Sequence, residues 1–348
     1  MGTAYESEEF LHQLLRKAVS AAASDVHLKV GQPPGVRVGG DIVYFKTERL
    51  TPADTEAAAR LILKSRLDAP ELATLLEHDT SYPVAGVARF RVSVFRQRGF
   101  LSLVMRAVPV SVPEPEELGM PAPVTELAMK ERGLVLVVGA AGNGKSTTLA
   151  AMVNAINTRL PRHIVTIEDP IEFLHQDMRS CVSQREIGHD TKSFAAALRA
   201  ALRQDPDVIL VGEIRDSETM EIAVQAAETG HLVLSTLHTP DVGRTLNRML
   251  ALAKNPGELR ERIADSLQGV LAQRLVPKVG GGVALAMEIL IATGTVREAL
   301  KRPEQNPPLK ELMERGVTPY GMQTFQMAFR GLLKQGVVTK EVAAQHMT

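Results

Sequence analysis

Residues 139–146 read Gly-Ala-Ala-Gly-Asn-Gly-Lys-Ser and fit the phosphate-binding pattern G-x-x-x-x-G-K-[ST]. The glycines of such a loop let backbone N–H groups turn inward around phosphate, and the helix that follows adds partial positive charge at its start. Gly139, Gly142, Asn143 and Gly144 would form the cradle, with Thr147 at the helix start. Lys145 is placed to neutralise the β- and γ-phosphates and Ser146 to hold Mg²⁺. The ligand predicted is ATP with Mg²⁺.

Hydrolysis needs more than a cradle: a second carboxylate for the metal and a base that orients water. In open parallel sheets ligands sit beyond the carboxyl ends of the strands. The apolar run 163–167 ends in Glu168-Asp169-Pro170-Ile171-Glu172, the run 208–211 in Gly212-Glu213, and the run 232–237 in His238. One polar strand end is ordinarily just solvated; three of them beside a phosphate loop point to one site. Glu213 is the natural partner of Ser146 on the metal, and either Glu172 or Glu168 can position the attacking water. His231 and His238 bracket one strand, roughly 23 Å apart if extended and on opposite faces, so His238 is the site candidate and His231 a structural group.

The elements that must position these residues are legible as patterns. The run 134–138 precedes the loop, and 147–157 forms a helix after it. Short apolar runs alternating with helical patterns at 193–204 and 217–228 predict an α/β domain with a mostly parallel sheet buried on both faces. Before it, helical patterns at 10–23 and 51–67 and alternating strands at 36–45 and 90–108 predict a smaller α+β unit over 1–110. The stretch 111–120, broken by Pro113 and Pro115 and rich in Glu, reads as the linker. The ATPase domain then covers 121–348, with C-terminal helices from about 292.

Lys and Arg total 40 and Asp and Glu total 40, so the chain lacks the basic excess of a nucleic-acid or anionic-membrane binder. Aromatic residues are 4% with no Trp, which disfavours stacking platforms for single strands. One cysteine, Cys181, excludes an intrachain disulfide and a multi-cysteine zinc site. No apolar run is long enough for a bilayer and no secretion signal opens the sequence, so a cytoplasmic protein that is not integral to a membrane is expected.

With the phosphate loop, the segments IEDPIEF, VGEIRD and AETGHLVLSTLHT stand in the order seen in secretion ATPases. The chain resembles that family, and most closely its branch of type IV pilus retraction motors of the PilT/PilU type. Ser24-Asp-Val-His-Leu, Gly31-Gln-Pro-Pro-Gly and Gly321-Met-Gln-Thr-Phe extend the match over nearly the whole sequence. The resemblance implies a RecA-like ATPase domain behind a PAS-like α+β domain. It also implies a homohexamer, ATP bound between the two domains and neighbouring subunits, and Glu172 as the base. Arg91 and Arg106 would be the arginines reaching an adjoining nucleotide, with Arg199 and Arg203, four apart on a helix, as a second pair.

The partners implied are an inner-membrane pilus platform protein and a paralogous retraction ATPase, at the cytoplasmic face of the inner membrane. Nucleotide binding would close the two domains across the linker, and hydrolysis would reopen them. Two departures from the family stand out: Ala140-Ala141-Gly142-Asn143 replaces Pro-Thr-Gly and Ser, and 295–302 keeps only part of the motif beginning Ala-Ile-Arg-Asn. The second leaves an accessory, PilU-like role open, and a DNA-translocating ring ATPase is the rival from another class. Assembly-type relatives carry a four-cysteine element and extra N-terminal domains, which this sequence lacks, so retraction is expected over extension.

Overall fold

Alternating side chains build a six-stranded antiparallel sheet from the N-terminal part of the chain. The computed structural model describes residues 2–64, 67, 69–108 and 112–347, divided between two units. Unit 1 holds the described residues of Met1–Ser111 together with Pro170–Leu174 and Glu186–Lys192. Its elements are α1 (Glu8–Ser20), β1 (Asp25–Lys29), β2 (Gly35–Val38), β3 (Asp41–Tyr44), α2 (Pro52–Leu63), β4 (Glu77–Val84), β5 (Ala88–Gln97) and β6 (Phe100–Val108). The strands lie in the order β3-β2-β1-β6-β5-β4.

One face of this sheet is apolar. Phe90, Val92 and Val94 of β5 and Leu101, Leu103 and Met105 of β6 are buried in one core with Leu11 and Leu15 of α1 and Ile62 of α2. The other face carries a cross-strand row in which Arg37 pairs with Asp25, Asp25 with Arg106, Arg106 with Arg91, and Arg91 with Ser81. Thr51 caps α2 by a reciprocal box with Asp54, as its Thr-Pro start predicts. The helix ends at Leu63, short of the expected 67, and Ser65 and Arg66 lie outside the described residues. Strands β1 and β4 have no counterpart in the sequence reading: β1 spans five residues, and Pro83 breaks the signal of β4, which sits at a sheet edge where proline is tolerated.

Unit 2 holds Val112–Asp169, His175–Arg185 and Ser193–Thr348, of which Thr348 lies outside the described residues. Its elements are α3 (Ala122–Ala128), β7 (Gly133–Val138), α4 (Lys145–Arg159), β8 (His163–Glu168), β9 (Cys181–Glu186), α5 (Phe194–Ala201), β10 (Val208–Val211), α6 (Ser217–Glu228), β11 (Leu232–Leu237), α7 (Val242–Leu252), α8 (Pro256–Ser266), β12 (Leu267–Pro277), β13 (Val283–Ile291), α9 (Gly294–Lys301), α10 (Leu309–Arg315), α11 (Phe325–Lys334) and α12 (Lys340–His346). The seven strands run in the order β13-β12-β7-β11-β10-β8-β9, with β12, β7, β11, β10 and β8 mutually parallel and β13 antiparallel.

The four apolar runs are β7, β8, β10 and β11, each within a residue of its expected bounds. Strands β9, β12 and β13 were not anticipated. Two short stretches inside the segment read as the second domain, Pro170–Leu174 and Glu186–Lys192, belong to unit 1. Of the stretch read as a linker, Ser111 lies outside the described residues and 112–120 belongs to unit 2. There Glu114 accepts a hydrogen bond from Asn154 at 2.8 Å and Glu116 pairs with Arg159 at 3.6 Å, so this stretch is tied to α4. Among the described residues no helix is long and apolar enough to cross a membrane.

Candidate nucleotide site

The phosphate loop leaves β7 and enters α4 through Gly144, whose left-handed backbone (φ 78°) caps the helix. At Gly139 a Cβ would stand 2.6 Å from the Gln273 carbonyl oxygen of β12, so close approach to the neighbouring strand requires glycine there. Lys145 is buried, and its Nζ donates to the Ala140 carbonyl at 3.1 Å. Burial pushes its ammonium below the ordinary lysine value, and the charge of Glu213 opposes that shift. Ser146 follows with its side chain exposed at the helix start, and Thr147 is half-buried.

Asn143 ties the loop to the neighbouring strand. Its side-chain oxygen accepts the Leu275 N–H at 3.0 Å, its carbonyl accepts from Gln273 Nε2 at 2.5 Å, and its own N–H donates to Ala140 at 3.3 Å. It therefore fastens the loop to β12. Gln273, 1% exposed, completes the fastening by accepting from Thr148 Oγ1 at 2.9 Å. Sequence reasoning missed Gln273; its one signal is a polar residue interrupting an otherwise apolar run.

The neighbouring strand ends follow the order β7, β11, β10, β8. Glu213 lies just past β10, with its side chain 12% exposed. One carboxylate oxygen meets Arg215 at 2.5 Å and the other meets His238 Nε2 at 3.4 Å, just past β11. Lys145, Glu213, Arg215 and His238 are thus one electrostatic cluster within unit 2. Glu168 ends β8, where Thr166 Oγ1 at 2.7 Å and Gln184 Nε2 at 3.1 Å both donate to its Oε1. His231 opens β11 and is bonded to the Ala226 carbonyl at 2.9 Å, at the end of α6, as a structural group should be.

Glu172 belongs to unit 1. Its Oε1 accepts from Arg91 at 3.2 Å, and both side chains are largely exposed. Arg106, 70% exposed, donates to the buried Asp25 at 2.9 Å. Burial would raise the Asp25 carboxyl, yet hydrogen bonds from Ser24 and Arg106 and the Arg106 charge outweigh it and hold the group below its usual value. Arg199 pairs with Glu218 of α6. Helix α5 ends at Ala201, so Arg203 lies in the following turn and donates to the Arg199 carbonyl at 3.0 Å. The two arginines therefore remain neighbours, Arg203 on the turn that continues α5.

The family model described as "Type II/IV secretion system protein" matches residues 4–284. The chain belongs to that family. This secretion-system protein is 42% identical over 337 residues to the type IV pilus retraction ATPase PilT of Pseudomonas aeruginosa, covering 96% of each chain. It is 39% identical to the type IV pilus ATPase PilU of the same organism, covering 96% of this chain and 87% of PilU. Among solved structures it resembles the pilus retraction motor PilT with bound ADP, at 43% identity and a TM-score of 0.85, covering 97% of this chain and 96% of that one. The likeness extends through both units, and it agrees with the α/β architecture and the two-part organisation built above.

Proposed function

We propose that the chain is an ATP-hydrolysing motor that retracts a type IV pilus, working as a homohexamer on an inner-membrane platform protein at the cytoplasmic face. The ATPase activity is that of its family. The observation that carries the reading is the convergence at one sheet edge of a phosphate loop, Glu168, Glu213 and His238 on four successive parallel strands.

Gly139, Gly142 and Gly144 shape the loop around the β- and γ-phosphates, and Lys145 exchanges the Ala140 carbonyl for phosphate oxygen. The donor set fits a magnesium ion: an exposed Ser146 hydroxyl at the helix start and the Glu213 carboxylate beyond β10, two strands from β7, are hard oxygen ligands. Bound there, Mg²⁺ would supply charge neutralisation at the phosphate oxygens. His238, held by Glu213, is placed to respond when Glu213 changes partners. Glu172 is the base that orients water, and Glu168, already holding two donors, is the supporting acid. Arg91 and Arg106 serve the nucleotide of an adjoining copy, with Arg199 and Arg203 as additional contacts.

Deletion of the gene followed by complementation tests this reading: wild type should restore filament retraction, and Lys145→Ala should leave cells over-piliated and non-retracting. In the purified protein, Glu172→Gln should bind ATP and hydrolyse it at least ~10²-fold more slowly; unchanged turnover removes Glu172 from its role. An accessory, PilU-like motor is the second reading, favoured by identities of 42% and 39% that barely separate the two relatives. Turnover by the isolated protein discriminates them: a weak ATPase that retracts filaments only beside a paralogue fits the second.

A further inference from the structure

Glu186 is fully buried and at the centre of a polar cluster in unit 1. Its Oε1 accepts from Ser81 Oγ at 2.5 Å, and its Oε2 accepts from Arg89 at 2.5 Å and from the backbone N–H of Ile171 at 3.1 Å. Arg89 also donates to Ser81 Oγ at 2.8 Å, so Ser81 relays between the two charges. The chain around Glu186 is closed into a tight loop, its N–H donating to Asp190 Oδ2 and its carbonyl accepting the Asp190 N–H, each at 2.8 Å.

Arg89 and Arg91 are two residues apart on β5 and therefore share a face. They hold adjacent residues of one segment: Arg89, through Glu186, holds the backbone at Ile171, and Arg91 meets the Glu172 side chain directly. The Arg91 contact is an exposed ion pair, which is too weak to fix a carboxylate by itself. The Arg89–Glu186 pair has only 11% and 0% of its side chains exposed and engages a backbone amide.

We propose that Arg89 and Glu186 are positioning residues for the hydrolytic base: they fasten the segment 170–174 to the β5 sheet, so that Glu172 is carried by unit 1, whereas Glu168 stays with β8 in unit 2. The proposal rests on Glu172 being the base. The pair acts on the segment that carries the carboxylate and touches no part of the phosphate loop, so that binding and turnover are separable by mutation.

The test compares three variants of the full chain. The paired replacement Arg89→Met with Glu186→Leu removes both charges together and the acceptor of the Ile171 N–H, while leaving the phosphate loop untouched. It should bind an ATP analogue within about threefold of wild type and lose at least about tenfold in kcat, because a small misplacement of a catalytic group is costly. Arg89→Lys, which keeps the charge facing Glu186, should retain most of the wild-type kcat. A folded paired variant with wild-type kcat, or one losing analogue affinity in parallel with kcat, overturns the proposal. Glu172→Gln, measured alongside, isolates the underlying reading: full turnover there means that Glu172 is not the base, whatever the pair does. Native-state hydrogen exchange on the wild-type protein needs no variant. Residues 170–174 should gain exchange at the denaturant concentration that opens β5; opening together with β8 also overturns the proposal.

Discussion

Arg91 and Arg106 occupy directly paired positions on β5 and β6, so two guanidinium groups project side by side from the polar face of the unit 1 sheet. Like charges in that register destabilise a sheet by themselves. Here each has its own carboxylate, Glu172 for Arg91 and Asp25 for Arg106. Arg91→Ala and Arg106→Ala should each bind nucleotide normally and lose at least ~10³-fold in turnover if they act as transition-state arginines. If they act on the nucleotide of a neighbouring copy, mixing inactive Arg91→Ala and Lys145→Ala proteins should regain part of the ATPase rate. Absence of any recovery counts against action between copies.

The same pairing makes acid stability depend on Asp25. Its carboxyl is held below the ordinary value in the folded chain, so its contribution is present above the unfolded value of 3.8 and disappears as pH falls through the folded one. Arg106→Ala removes a hydrogen bond and a charge from a carboxylate that is only 6% exposed. Arg106→Ala should therefore cost stability at neutral pH, where Asp25 is ionised, and the gap from wild type, followed by circular dichroism, should close as pH falls below the unfolded value of 3.8.

Gln273 offers a test of the loop fastening. Gln273→Leu removes its bonds to Asn143 and Thr148 and leaves a buried hydroxyl unpaired. At about 0.5–1.5 kcal/mol for each hydrogen bond, nucleotide affinity should fall roughly tenfold while the residual kcat at saturation stays close to wild type. Isothermal titration with ADP measures the first and a saturation curve the second.

Glu213 shares its carboxylate between Arg215 and His238, at 2.5 and 3.4 Å. Glu213→Gln keeps the shape and removes the charge. The Mg²⁺ concentration for half-maximal hydrolysis should rise at least about tenfold, with ADP binding in EDTA unchanged or improved, since the acid no longer opposes phosphate. An unaltered Mg²⁺ requirement removes Glu213 from the metal.

His175 carries a different pH signature. Burial pushes its imidazole down to about 4, and Nδ1 has no hydrogen-bond partner among the described residues. As pH drops below about 6.5 the unfolded chain takes up a proton that the folded one refuses, so stability declines until about pH 4 and this contribution is then constant. The loss is no more than about 3 kcal/mol. His175→Gln should flatten the dependence of the unfolding free energy on pH between 4 and 6.5.

Local chemistry made much of this protein legible from its residues. The phosphate loop, the four parallel strands and the acids and histidine at their ends depend on short-range features: glycine spacing, apolar runs and polar residues at fixed offsets. These are properties of neighbours in the chain, and the sequence reading found them within a residue. The capped start of α2 at Thr51 was readable for the same reason.

What only the tertiary structure decided are partnerships between distant residues. Gln273 lies 130 residues from Asn143, and Glu186 lies 97 from Arg89; no spacing rule links either pair. The end of α5 at Ala201, which leaves Arg203 on the following turn with its side chain on the Arg199 carbonyl, depends on the turn that leads to β10 rather than on the helical pattern. Which unit carries Glu172 followed neither from its place between β8 and β9 nor from its charge. A buried carboxylate at Glu186 needs donors, and the fold supplies them from Arg89, Ser81 and the backbone of Ile171, drawing the neighbouring glutamate into unit 1.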